Sequence, residues 1–156
     1  MSELILAIDP GPTESAYVLW DGQSIGKHFK AENAMLCDAI MTKCLVADVM
    51  VIEQIASYGM AVGAEVFETV FWSGRFAQAF YAHLLPVFRI KRMDVKMHLC
   101  HSSRAKDGNI RQALIDRLGP PGTKKAPGAT YGISGDCWAA LAVAITFADQ
   151  RQAVRV

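Results

Sequence analysis

Apolar residues recur along this chain at two different periods. Leu4-Ile5-Leu6-Ala7-Ile8 and Val49-Met50-Val51-Ile52 are continuous apolar runs, the pattern of central strands covered on both faces. Pro10-Gly11-Pro12 forces a turn after the first run. Ser15 to Trp20 reads as a second strand, and Asp21-Gly22 is a hairpin signal leading into a third at Ser24 to Phe29. Asn33 can cap a helix to about Leu45, and the second apolar run extends to a strand over Asp48 to Ile55. Ser57-Tyr58-Gly59 then breaks the chain before a long helix, Val62 to Leu85. Its Val66, Phe67, Val70, Phe71, Phe76, Phe80 and Leu84 recur at helical spacing. Pro86 ends that helix and Val87 to Ile90 makes a fifth strand. Helical segments follow at Val95 to Leu99 and Gly108 to Leu118. Gly119 to Gly128 is a basic loop too rich in Gly and Pro to be regular, and Ser134 caps a last helix to about Asp149. This order predicts an α/β fold, a five-stranded mixed sheet with helices on both faces.

At 156 residues, 52% apolar and 20% charged, the chain fits one domain with a proper core. No apolar stretch is long enough to span a bilayer, and the N-terminus carries no basic region followed by an apolar signal core. A cytoplasmic protein without a membrane partner is expected. Cys37, Cys44, Cys100 and Cys137 form no CxxC pair, so reduced thiols are expected. His98-Leu99-Cys100-His101 lacks a second ligand cluster elsewhere, which argues against zinc.

The net charge of +1 hides an asymmetry. Residues 1–88 carry four basic and ten acidic side chains, a balance of −6. Residues 89–125 carry ten basic (among them Lys91, Arg92, Lys96, Arg104 and Lys106) against three acidic, a balance of +7. An acidic half beside a basic segment suits carboxylates that work on a polyanion; a solvated basic helix is the plainer alternative.

Three acids stand at the edges of core elements. Asp9 ends the first apolar run, Glu53 ends the second, and Asp136 opens the stretch Cys137 to Ile145. A desolvated carboxylate needs a partner, and divalent ions are the usual means of holding several together. Singly, Asp9 reads as a turn former, Glu53 as a salt-bridged strand end and Asp136 as helix-start decoration. Together they suggest one cluster.

Ala7-Ile8-Asp9-Pro10-Gly11, Val51-Ile52-Glu53-Gln54 and Asp136-Cys137-Trp138-Ala139-Ala140-Leu141-Ala142-Val143-Ala144-Ile145 resemble the RuvC-type Holliday junction resolvases, which have an RNase H-like fold. Gly74-Arg75, Val95-Lys96 and Arg104-Ala105-Lys106 extend the match over nearly the whole chain. The resemblance implies Asp9, Glu53 and Asp136 as Mg²⁺ or Mn²⁺ ligands, with no organic cofactor. It implies Lys96 and Lys106 near the scissile phosphate or its flanks. Four-way DNA is the partner it implies, with Arg75, Arg104 and Tyr58 among the contacts, to which the +7 segment adds Lys91 and Arg92. A homodimer is expected from the aromatic surface of the long helix and from the two-fold symmetry of a four-way junction. Two departures stand out. The family has a second acid three residues after the first on its last helix, where this chain has Ala139; Glu14, Glu65 and Glu68 are candidate substitutes. The family's aromatic three residues past the strand glutamate is here Ala56, with Tyr58 two residues on. Both fit a divergent, phage-type resolvase.

The expected function is metal-dependent, structure-selective nicking of Holliday junctions or other branched DNA. Alternatives are a junction-binding protein that does not cut, an RNase H-like nuclease acting on RNA, and an actin-like ATPase. The last needs two lobes, which this length does not accommodate.

Overall fold

In the computed structural model of the chain, which describes residues 2–155, ten elements follow one another. They are β1 (Ile5–Asp9), β2 (Glu14–Trp20), β3 (Ile25–Glu32), α1 (Asn33–Met41), β4 (Val49–Gln54), α2 (Ala64–Tyr81), β5 (Val87–Lys91), α3 (Arg92–Cys100), α4 (Asp107–Leu118) and α5 (Cys137–Val154). The strands form one sheet in the order β3-β2-β1-β4-β5. β1 to β3 are antiparallel neighbours, while β1, β4 and β5 run parallel.

β1 and β4 are central and buried on both faces, which is why their sequences are continuous apolar runs. Leu6, Ile8, Met50 and Ile52 pack against α1 and α2 through Leu36, Ile40, Phe76 and Phe80. Ala7, Val49 and Val51 face the opposite layer of α3, α4 and α5, with Val95, Ile110, Leu114 and Leu141. The mixed sheet with helices on both faces is as expected. α5 is buried along most of its length, and its alanines bring its backbone close to the sheet. Truncating Leu141, fully buried there, costs about 2–5 kcal/mol.

Several local expectations are corrected. Asn33 does not cap α1; Glu32 holds that position without a side-chain bond. The Asn33 side chain instead turns inward, donating from Nδ2 to the Gly11 carbonyl (2.9 Å) and accepting from Ser15 Oγ (2.6 Å). Ser15 Oγ in turn accepts from the Gly11 N–H at 3.1 Å. This buried pair fixes the turn after β1, where a Cβ on Gly11 would lie 2.3 Å from the Glu14 carbonyl oxygen. Ser134 does not cap α5 either; Asp136 occupies the cap position. α2 is shorter than predicted because the chain turns at Leu84, in the left-handed region at φ 62°. The Gly/Pro-rich loop has a regular core: Gly122 bridges Pro127, and Thr123 and Ala126 exchange two backbone hydrogen bonds.

The β2–β3 ladder carries one irregularity. Trp20 pairs with Ile25 but Val18 pairs with His28, so β3 holds one extra residue around Gly26 and Lys27. The register is then even out to Glu14 opposite Glu32.

Candidate active site

One cross-strand row builds the site. Lys30 lies opposite Ala16, and Ala16 opposite Asp9. Ile8 pairs with Ile52, so Asp9 stands level with Glu53 one step on, and Glu53 faces Ile90. By strand alternation Asp9, two residues beyond Ala7, points toward the α5 layer. Ala16, buried and small, leaves room between Lys30 and Asp9. The row lies toward the C-terminal ends of the parallel strands, where α/β sheets place ligands.

Helices bring the remaining groups. Asp136, at the start of α5, accepts a 2.7 Å bond from Lys30 Nζ, which also lies 3.9 Å from Glu14 Oε2. Arg92 opens α3 directly after β5. One guanidinium nitrogen is 3.3 Å from Glu53 Oε2, and the other donates to Asp107, the first residue of α4. Glu53, Arg92, Asp107, Asp136 and Ala139 line one cavity of about 50 Å³, room for an ion or a few waters.

Asp9 differs from its neighbours. Among the described residues no hydrogen bond or ion pair reaches its carboxylate. Burial pushes its pKa up to about 8; the charges of Glu53 and Asp136 add to the rise, and Arg92 and Lys30 only partly offset it. Glu53 is raised as well, chiefly by burial, with Arg92 pulling it back. Both shifts are set first by burial, which disfavours the charged carboxylate; at Asp9 the neighbouring acids add to it, whereas at Glu53 the nearby cations work against it.

The donor set is all oxygen, which suits a hard divalent cation such as Mg²⁺ or Mn²⁺. With Glu14 and Asp107, five carboxylates face two side-chain cations, Lys30 and Arg92. The three expected ligands meet at one sheet edge but are not arranged as a ready cage. Among the described residues no three acids, histidines or cysteines stand close enough to share one ion. The reason is local: Asp136 is turned to Lys30 and Glu53 to Arg92.

Of the expected basic residues, Lys96 lies one turn beyond Arg92 and its charge also lowers Glu53. Lys106 is exposed at the cap of α4, its backbone N–H held by Asn109 Oδ1 at 2.9 Å. Lys91, the last residue of β5, and Arg104, between α3 and α4, are exposed. Arg75 instead belongs to α2, in the other helical layer, and stacks 4.3 Å over Trp72. Tyr58 is exposed in the loop after β4 with φ 47°, beside Gly59 at φ 81°. Glu65 and Glu68 sit exposed on α2 and do not line the cavity, so they do not replace an acid at Ala139. Glu14 approaches only through Lys30. His98 is occupied structurally: its Nε2 is 2.6 Å from Asp149, which Arg117 also clamps with two bonds. Sequence reasoning missed Lys30 and Asp107. Lys30 looks like any polar residue of an edge strand, and Asp107 is hidden in a basic segment.

The sheet order, the two helical layers and the acids at the strand ends define an α/β protein with the RNase H-like fold. Its structural neighbours are RuvC Holliday junction resolvases. Thermus thermophilus RuvC in complex with Holliday junction substrate superposes with a TM-score of 0.76 at 14% identity, covering 96% of this chain and 94% of that one. A second Thermus thermophilus RuvC structure gives 0.72 at 17% identity, covering 96% of each chain. The yeast mitochondrial Holliday junction resolvase Ydc2 gives 0.56 at 11% identity, over 92% of this chain and 77% of that one. No family model and no curated protein matches the sequence.

Proposed function

We propose that the chain is a divalent-metal-dependent endonuclease that nicks four-way junctions or other branched DNA by phosphodiester hydrolysis. The observation that carries this reading is the row that sets Asp9 beside Glu53 under Asp136, on a fold shared with RuvC.

Asp9, Glu53 and Asp136 would hold Mg²⁺ or Mn²⁺, which when bound activates water and stabilises the leaving oxygen. Asp9, central and unpaired, is the residue placed to serve both sides of the site. Lys96 and Lys106 present positive charge to the cleaved or neighbouring phosphate. Lys91, Arg92 and Arg104 continue that surface along the backbone, with Arg75 and Tyr58 as further contacts. Phosphate contacts fix position without reading bases, so selectivity for shape is the expected result. A junction has two-fold symmetry, and paired nicks need two sites related by a two-fold axis, which a C₂ homodimer supplies. The outer face of α2, with Phe67, Val70, Phe71 and Tyr81 exposed, is the surface offered for that contact.

The test is a labelled four-way junction incubated with Mg²⁺ or Mn²⁺ beside three-way, linear DNA and RNA substrates. Paired nicks in the four-way junction are expected. Asp9→Asn, Glu53→Gln and Asp136→Asn should each abolish them while the junction is still bound. One observation favours a second reading, junction binding without cleavage: Ala139 lines the cavity where a further acid would sit. Tight junction binding with no nicks in either metal would select it.

A further inference from the structure

Among the described residues Arg92 is the only side-chain cation lining the cavity that contains Glu53, Asp107 and Asp136. Its guanidinium lies between two of those acids, at 3.3 Å from Glu53 Oε2 and in contact with Asp107. Glu53 is nearly inaccessible to solvent, at 7% side-chain exposure, whereas Asp107 is 86% exposed. The arginine thus bridges a buried acid and a surface acid across the cavity mouth. Two cations cannot share the Glu53 oxygen at short range: like charges about 4 Å apart repel by about 4 kcal/mol at an effective dielectric of 20, and a divalent ion doubles that.

We infer that Arg92 is the site's resident cation, competing with a divalent metal ion for Glu53 and swinging out on Asp107 when the metal enters. This rests on the nuclease reading and adds how the site is kept assembled beforehand. Without an internal cation, Glu53 would be a buried charge with no contact partner, a state that costs folding stability or forces protonation. With Arg92 in place the acids are held, but Glu53 is turned from its neighbours. The exchange needs little motion, since Arg92 opens α3 and Asp107 already holds one arm of its fork at the solvent edge. Once released, the fork is free for the next available anion, and a backbone phosphate offers matching bidentate geometry. Arg92 is therefore a positioning residue that passes from carboxylate to phosphate, a role the more distant Lys96 does not share.

The experiment is Mn²⁺ binding to the DNA-free protein, by calorimetry and by the electron paramagnetic resonance of free Mn²⁺. Arg92→Gln should bind Mn²⁺ more tightly than wild type, on the order of tenfold, within the usual range for coupled sites. Arg92→Lys, which keeps the charge and loses the fork, should fall between. In thermal melts Arg92→Gln should be less stable than wild type without metal and recover a larger part of its loss when Mn²⁺ is added. Unchanged or weaker Mn²⁺ binding in Arg92→Gln would overturn the inference; should that variant not fold, the same result in Arg92→Lys would do so. Wild-type cleavage and wild-type Mn²⁺ binding report on the nuclease reading itself, so its failure is seen separately.

Discussion

Asp9 offers the sharpest prediction. An ordinary aspartate titrates near 3.8, and burial beside Glu53 and Asp136 raises this one to about 8. Above pH 4 the unfolded chain has released a proton that the folded chain still holds. Stability conferred by that proton therefore drains away as pH rises from about 4 to about 8, by up to ~1.4 kcal/mol per pH unit. At pH 7 the accumulated loss approaches about 4 kcal/mol, a large share of the 5–15 kcal/mol typical of a domain. Titration shared with Glu53 reduces the figure, and about 1–3 kcal/mol is the expected observable. Asp9→Asn keeps the shape and removes the charge. In urea denaturation with EDTA, the variant should exceed wild type by that amount at pH 8, the two converging toward pH 4. Saturating Mn²⁺ should shrink the variant's advantage, because wild type gains about 2.7 kcal/mol at a hundredfold excess over Kd and the variant gains less. A variant less stable than wild type at pH 8 without metal would refute the reasoning, as would a difference that does not change with pH. Either result would mean that the folded protein already compensates the charge.

Replacing Lys96 or Lys106 by Ala should lower the slope of log affinity against log salt by about one unit each; an unchanged slope would mark that residue as a solvated surface charge. Phe71→Asp on the exposed face of α2 should convert a dimer to a monomer in light scattering at micromolar concentration, and a wild-type monomer with and without junction DNA would remove the dimer. Ser15→Ala leaves the Gly11 N–H and the Asn33 side chain short of a buried partner; a loss of about 1–3 kcal/mol in denaturation is expected, with slower cleavage because the turn that aims Asp9 is loosened.

What could be read from the sequence was what one-dimensional patterns encode. Leu4 to Ile8 and Val49 to Ile52 had to be apolar on every residue because β1 and β4 are covered on both faces, and that made Asp9 and Glu53 conspicuous at their ends. The remaining parts depend on registers and loops that leave no periodic trace. Arg92 was legible as a positive charge, but its hold on Glu53 depends on how α3 leaves β5. Asp107 meets the same arginine only because α4 starts where it does. Asn33 carried a true signal, a short polar side chain ready to bond backbone, yet its partners lay across the fold at Gly11 and Ser15 rather than on its own helix.

The extra residue in β3 has a consequence for how this chain can change over generations. Had the pairing of Trp20 with Ile25 continued in step, Ala16 would face Phe29, and Lys30 would project from the other side of the sheet. The residue inserted near Gly26 therefore decides whether an ammonium or a phenyl ring meets Asp136, although it lies about 13 Å up the strand by the usual rise per residue. Surface hairpins ordinarily tolerate lengthening and shortening. This one is constrained by register: a gain or loss between Ile25 and His28 that the bulge does not take up slides Lys30 along or across the sheet and away from Asp136, whether the change is odd or even. Length variation there should be confined to what the bulge can take up, a limit set on an exposed hairpin by the carboxylate that Lys30 holds at the far end of the same strand.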